Sequence, residues 1–294
     1  MTKWLRSVAL PHRHTAPQVA TECIFCGASN LTKEHIFPRW SHRYMLPRQK
    51  GRAVSLSGSV YLDRKETVVG KLPGQLRDWQ IRCVCGGTHL TCNGGWMKDI
   101  EDRVKPLLVP LILGHTVRLR PDDQSLIATW AVLKVMVSEF WRSGQVTTHW
   151  TQRRRMLNRQ EPPESGWGVW IAHYERINWK PEWISHPFFV PSETTLARKG
   201  LQVPTRYNGS AVTQVIGKVF IQVIHSPEPD DFISKWRFSG LRQGILFRVW
   251  PVTSFSIRWP LRAISDREAD EIADAIPQFL LRVARQVAAR RQTP

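Results

Sequence analysis

Between Asp122 and Trp141 the chain reads DDQSLIATWAVLKVMVSEFW, and its apolar residues Leu126, Trp130, Leu133, Val137 and Phe140 recur three and four positions apart. That interval stacks side chains on one face, so the segment predicts an amphipathic helix, capped at its start by Asp122 and Asp123 and ended near Gly144. A second helix is predicted from Ser265, where Ser-Asp-Arg-Glu268 fits a capping box and Ile272, Ile276, Leu280 and Val283 share one face. Pro277 is expected to kink it, and its end carries Arg282, Arg285, Arg290 and Arg291. Between these helices the pattern changes to short runs of β-branched and aromatic residues, AVTQVIGKVFIQVI, GILFRVW and SFSIRW, which predict strands. Residues 146–210 are rich in Trp and Pro without a period, and residues 1–20 read as a loose basic arm. The pattern divides the chain into that arm, a first unit over 21–110 and an α+β unit over 111–294.

The longest apolar run, PLLVPLILG at 106–114, is interrupted by Pro110 and is shorter than the roughly 18 residues a membrane span needs. The opening MTKWLRSVALPHRH has too short an apolar core for a signal peptide. No membrane association is expected, and a cytoplasmic location with reduced thiols follows. Five cysteines, Cys23, Cys26, Cys83, Cys85 and Cys92, all fall in the first unit, and an odd number confined to one region argues for metal ligation over disulfides. Forty-two Lys and Arg against 24 Asp and Glu give a formal charge of +18, more than a small-metabolite enzyme needs. Such an excess attracts polyanions, nucleic acid foremost.

Two knuckle-like pieces frame the first unit. In Cys23-Ile-Phe-Cys26-Gly27 the spacing turns both sulfurs toward one cation, and Cys83-Val-Cys85-Gly-Gly-Thr-His89-Leu-Thr-Cys92 offers the rest of a tetrahedral zinc site. Its ligands are expected to be Cys23, Cys26, Cys92 and either His89, which local spacing favours, or Cys85, which the preference for sulfur favours. Between the knuckles lies Glu34-His35-Ile36-Phe37-Pro38, and Asn93 directly follows the last cysteine. Hydrolysis of a phosphodiester needs a base for water and a cation for the charge on phosphate and leaving oxygen. Adjacent residues of an extended strand face opposite ways, so Glu34 is placed to hold a hard cation while His35 addresses the water. Asn93, heading a helix through Trp96, Ile100 and Val104 to a stop at Pro106, adds an oxygen ligand suited to magnesium or manganese. Beyond the strand, Arg39, Arg43, Arg48, Lys50 and Arg52 alternate with Trp40 and Tyr44 as candidate contacts to backbone phosphates.

Taken in order, Cys23-x-x-Cys26, Glu34-His35-Ile-Phe-Pro38 and Cys92-Asn93-Gly-Gly-Trp96-Met97 resemble the HNH endonucleases of the ββα-metal type. In that family a knuckle precedes an acid-His-x-x-Pro strand, and a second knuckle ends in Cys-Asn at the head of a helix. The resemblance covers residues 21–106. It implies a zinc-stapled ββα-metal module followed by an α+β domain, with His35 as general base, Glu34 and Asn93 on the catalytic metal, and DNA as substrate. Two positions depart from the family pattern. Its middle Asn falls near Val84, and its second Cys-x-x-Cys is replaced by His89-x-x-Cys92 or a stretched Cys85 to Cys92. The expectation is a metal-dependent endonuclease acting on DNA. RNA is the alternative substrate, and a zinc-stapled nucleic-acid-binding protein without catalysis is the alternative class.

Overall fold

The computed structural model describes residues 20–45, 80–140, 146–175, 183–188, 208–226, 244–252, 255–276 and 278, with the backbone of two further strands at 54–61 and 64–71. The chain is mixed, with helices and mainly antiparallel sheets. Strand β1 (Leu31–His35) runs into a 3-10 turn at Arg39–Tyr44, then come β2 (Val54–Tyr61), β3 (Arg64–Lys71) and β4 (Gln80–Cys85). Strand β4 returns antiparallel to β1, with Glu34 opposite Ile81 and His35 opposite Gln80. Helix α1 (Trp96–Leu113) follows, and β5 (Val117–Leu119) leads to α2 (Pro121–Ser138) and α3 (Trp150–Arg159). The remaining elements are β6 (Trp167–His173), β7 (Trp183–Phe188), β8 (Gly209–Ile216), β9 (Val219–His225), β10 (Phe247–Trp250), β11 (Ile257–Trp259) and α4 (Asp266–Ala273).

Seven strands form one sheet in the order β10-β6-β9-β8-β7-β2-β3, antiparallel except where β2 meets β7. Strands from the first third of the chain therefore complete a sheet otherwise made by the second part. The expected run AVTQVIGKVFIQVI is the β8–β9 pair, and parts of GILFRVW and SFSIRW are β10 and β11. Every residue of β8 and β9 is buried, so these strands read as continuous apolar runs rather than alternating ones.

Two helices differ from expectation. Helix α1 passes through Pro106 and Pro110 and ends at Leu113, beyond residue 110, where the sequence pattern sets the boundary between units. Each proline loses one backbone hydrogen bond, but Val104, Leu108, Leu111 and Ile112 continue the buried stripe begun by Met97 and Ile100. That burial is worth roughly 1.5–3 kcal/mol per large apolar side chain, enough to carry the helix past its breakers. Helix α2 is buried on all sides from Ile127 to Val137 rather than amphipathic, because α1, β4, β5 and the large sheet surround it. Its first turn holds the aspartates, but its cap is Arg120, whose N–H donates to Asp123 Oδ2 at 2.8 Å. At α4 the Ser265–Glu268 capping box is present. The expected continuation through Leu280 and Val283, with Pro277 and the arginine-rich end, lies outside the described residues, as does the arm at 1–19.

One apolar core runs from Cys23, Phe25 and Phe37 through α1 and α2 to Val249 and Trp259. Among the described residues, no helix is long and apolar enough to cross a membrane.

Candidate functional site

The first knuckle is a tight turn. The Cys23 N–H donates to the Ala28 carbonyl at 2.7 Å and the Gly27 N–H to the Cys23 carbonyl at 2.9 Å, with Gly27 at φ 84°, a conformation that glycine adopts without strain. The second knuckle leaves β4 at Cys85 and closes where the Asn93 N–H meets the Cys85 carbonyl at 2.9 Å. A side chain at Gly95 would put its Cβ 2.5 Å from the His89 carbonyl oxygen, so the loop closes this tightly because glycine stands there.

These turns bring Cys23, Cys26, Cys85 and Cys92 together, with their sulfurs all within 4.8 Å of one another. The Cys26 and Cys85 sulfurs lie 3.4 Å apart. A tetrahedral zinc at about 2.3 Å from each sulfur sets neighbouring sulfurs roughly 3.8 Å apart, so the donor set and spacing suit structural zinc. A hydrogen bond from Cys92 draws the Cys23 thiol down to about 4, burial pushes Cys85 up to about 11, and Cys92 is driven up by its bond to Cys23. Further thiolates need the charge of a cation. The fourth sulfur is Cys85. His89 is exposed at the loop tip beside the exposed Leu90, and Cys83 is buried in the core outside the cluster. The stretched Cys85 to Cys92 spacing works because Thr88–Thr91 form a compact turn, with Thr91 Oγ1 donating to the Thr88 carbonyl at 2.6 Å.

Next to this cluster β1, the 3-10 turn and the head of α1 enclose a cleft of about 450 Å³, lined by Lys33, Glu34, His35, Arg39, Asn93 and Glu101 among others. His35 Nε2 lies 2.8 Å from Gln80 Nε2 and 3.5 Å from Arg39 Nε. Both neighbours are donors, so Nε2 accepts and the ring proton sits on Nδ1. Burial and then the charge of Arg39 hold the His35 pKa below its ordinary value. Its imidazole is therefore neutral near pH 7, as a base must be. Asn93 Nδ2 donates to Thr32 Oγ1 at 3.0 Å and to the Lys33 carbonyl at 3.3 Å, which ties the helix head to β1.

Glu34 is buried, and its carboxylate is held by an ammonium from outside the expected site residues. Lys134, fully buried in α2, donates to Glu34 Oε1, to Glu101 Oε1 and, at 2.9 Å, to the His35 carbonyl. Burial, with Glu101 adding to it, pushes the Glu34 carboxyl above the usual range against the pull of Lys134. Desolvation alone would lower the Lys134 pKa, but Glu101 and Glu34 overcome it and keep the ammonium charged. The signal for Lys134 was present as a single cation inside VLKVMV, and the signal for Gln80 was its position across from His35 once β1 and β4 pair. Of the candidate phosphate contacts, Arg39 is exposed and lines the cleft, Arg43 is exposed and lies over the Tyr44 ring, and Arg48, Lys50 and Arg52 lie outside the described residues.

Helix α3 braces the first knuckle from outside the segment. Arg153 is buried and donates from Nε to the Ile24 carbonyl at 3.0 Å and from Nη1 to the Thr148 carbonyl at 2.6 Å. Arg154 donates to the Phe25 and Cys26 carbonyls at 3.4 and 3.3 Å. Glu139 at the end of α2 accepts from Thr147 and from the Thr148 N–H, which closes the network. No protein-family model matches the chain, and no curated protein or solved structure matches it either.

Proposed function

We propose that the chain is a metal-dependent endonuclease of the HNH type that hydrolyses phosphodiester bonds in DNA, stapled by a structural zinc on Cys23, Cys26, Cys85 and Cys92. The observation that carries the reading is the convergence of Glu34, His35 and Asn93 on one cleft rimmed by Lys33, Arg39 and Lys98, beside a four-sulfur cluster. A strand pair followed by a helix, with the cluster at their junction, is the arrangement the ββα-metal resemblance implies. The formal charge of +18 suits a polyanionic substrate.

In this mechanism the unprotonated Nε2 of His35 is the base. A water in the donor position now filled by the Gln80 amide gives its proton to Nε2 as its oxygen bonds to phosphorus. The bond from phosphorus to the leaving oxygen breaks, and that oxygen takes a proton from solvent. Until that water enters, the Gln80 and Arg39 donors on Nε2 keep the ring proton on Nδ1. Glu34 and Asn93, with Glu101 beside them, offer oxygen donors of the kind magnesium or manganese takes, and the ion they hold would supply positive charge for the phosphate and leaving oxygen. Lys33 and Arg39 orient the backbone phosphates.

The ion pair between Glu34 and Lys134 favours a second reading, a zinc-stapled nucleic-acid-binding protein without turnover, because it engages one oxygen of the carboxylate that would hold the metal. Parallel incubation of zinc-loaded protein with supercoiled plasmid and with structured RNA, each with magnesium or manganese, separates the readings. Nicking or linearisation of plasmid that His35→Ala abolishes supports the endonuclease. Cleavage confined to RNA makes it a ribonuclease, and tight binding without cleavage under either metal leaves the binding protein.

A further inference from the structure

Lys134 is the least expected group in the molecule. It stands in the middle of a helix buried on every side, where a charge is tolerated only if it is paired, and it is fully buried itself. Its three donor contacts converge from two other elements. Two go to successive residues of β1, the Glu34 carboxylate and the His35 carbonyl, and the third goes to Glu101 on α1. One nitrogen atom thereby fixes the side chain of the candidate metal ligand, the backbone of the candidate base and the wall of the cleft opposite them. A partner that served stability alone needs no such placement, since burying an ion pair gains little over an apolar contact of the same size.

We propose that Lys134 is a positioning residue for the proposed hydrolysis: it is a fixed internal cation, supplied by α2 from outside the knuckle segment, that aligns Glu34 with His35 and holds back the affinity of the cleft for a divalent ion. Its charge acts in two opposed ways. It holds Glu34 and the end of β1 in one arrangement, which turnover requires, because a displacement of about 1 Å in a catalytic group costs on the order of a hundredfold in rate. It also stands against both carboxylates that face the cleft, and so repels any divalent cation they would hold. Removing it therefore slows the reaction while tightening the metal. A residue that only filled space would lower both or neither.

The turnover arm of the test rests on the nuclease reading, and the metal arm does not. Zinc-loaded wild type is compared with Lys134→Met, an apolar side chain of similar length, and with the double variant Lys134→Met/Glu101→Gln, which removes the charge together with one counter-charge. Zinc content and circular dichroism report the fold. Mn2+ titration followed by electron paramagnetic resonance reads the affinity of the cleft, and plasmid cleavage reads kcat and KM. Lys134→Met is expected to bind Mn2+ on the order of tenfold more tightly. Its kcat should fall on the order of a hundredfold at a KM within about threefold of wild type. The double variant should keep the low kcat and return toward the wild-type Mn2+ affinity. It carries the test if the single variant does not fold. Wild-type kcat and Mn2+ affinity in a folded variant overturn the proposal, and so does a cleft that binds Mn2+ in none of the three proteins. Should the wild type cleave nothing, the nuclease reading fails and the Mn2+ comparison alone decides the role of Lys134.

Discussion

His35 is an imidazole whose surroundings keep it neutral. Burial is the first cause, and the positive charge of Arg39 is the next. As the proposed base, His35 works only in its unprotonated form, so cleavage should be level with pH above the ordinary imidazole pKa of about 6.5 and should fall as pH drops through the lower pKa that His35 has in the fold. Replacing Arg39 by Gln removes one of the lowering charges. The inflection of log kcat against pH should move up toward the ordinary value, and an unmoved inflection would show that Arg39 does not set the titration. At this scale the sequence was legible where chemistry and spacing coincide. Glu34, His35 and Asn93 were named from adjacency to the knuckles, and they do line one cleft. Gln80 and Lys134 were not, because each acts across a distance that only strand pairing or helix packing closes. The fourth sulfur was undecided between His89 and Cys85, since local spacing says nothing of the turn at Thr88–Thr91 that folds seven residues of separation into one site.

Helix α3 shows why an element can brace the first knuckle and still be unreadable in the sequence. Its sequence WTQRRRMLNR has no apolar stripe, it is capped by His149 rather than Ser, Thr, Asp or Asn, and it buries only Arg153 and Met156. Periodicity cannot find a helix that docks through a guanidinium. Arg153 gives the carbonyls of Ile24 and Thr148 a donor and offsets the buried Glu139. Breaking such a buried charge network by removing one partner costs about 3–5 kcal/mol. Arg153→Met should therefore lower the stability measured by urea unfolding by about that much. It should also speed the loss of zinc to a chelator, since Ile24 lies between the two cysteines of the first knuckle. A variant with unchanged unfolding and zinc retention would mean the brace contributes nothing. Helix α2 teaches the converse. Its apolar period predicts a helix, and the run of Ala, Val and Met around the stripe is what buries it on all sides.

Over the whole molecule, the first-unit strands β2 and β3 extend a sheet whose other strands come from residues 167–250, so the knuckle segment and the second unit share one architecture. The runs that form β8 to β11 are legible from composition, whereas β6 and β7 fall in the aperiodic stretch 146–210, and the strand order is not legible because a seven-stranded sheet is built from contacts far apart in sequence. Within that sheet His225 is buried against Trp167, with ring centroids 4.5 Å apart, and burial drives its pKa down to about 3. Its unfolded pKa is about 6.5, so the unfolded chain binds the proton first. The stability it permits is complete above that value and is lost as pH falls toward its folded pKa, by up to about 1.4 kcal/mol per pH unit. His225→Leu should flatten the acid side of the unfolding profile below pH 6.5, at the cost of the contact with Gln152 Oε1 at 3.3 Å. An acid limb as steep as that of wild type would place the sensitivity elsewhere. The proposed hydrolytic centre, built on a sulfur staple and held by helices of the second unit, joins these scales. The measurement that tests it most directly is single-turnover cleavage of an end-labelled DNA duplex by zinc-loaded protein, started by adding magnesium or manganese, for wild type beside His35→Ala. Cleavage is expected to need both the added metal and His35, with equal DNA binding by the two proteins. Equal cleavage by both, or binding without cleavage by either, would contradict it.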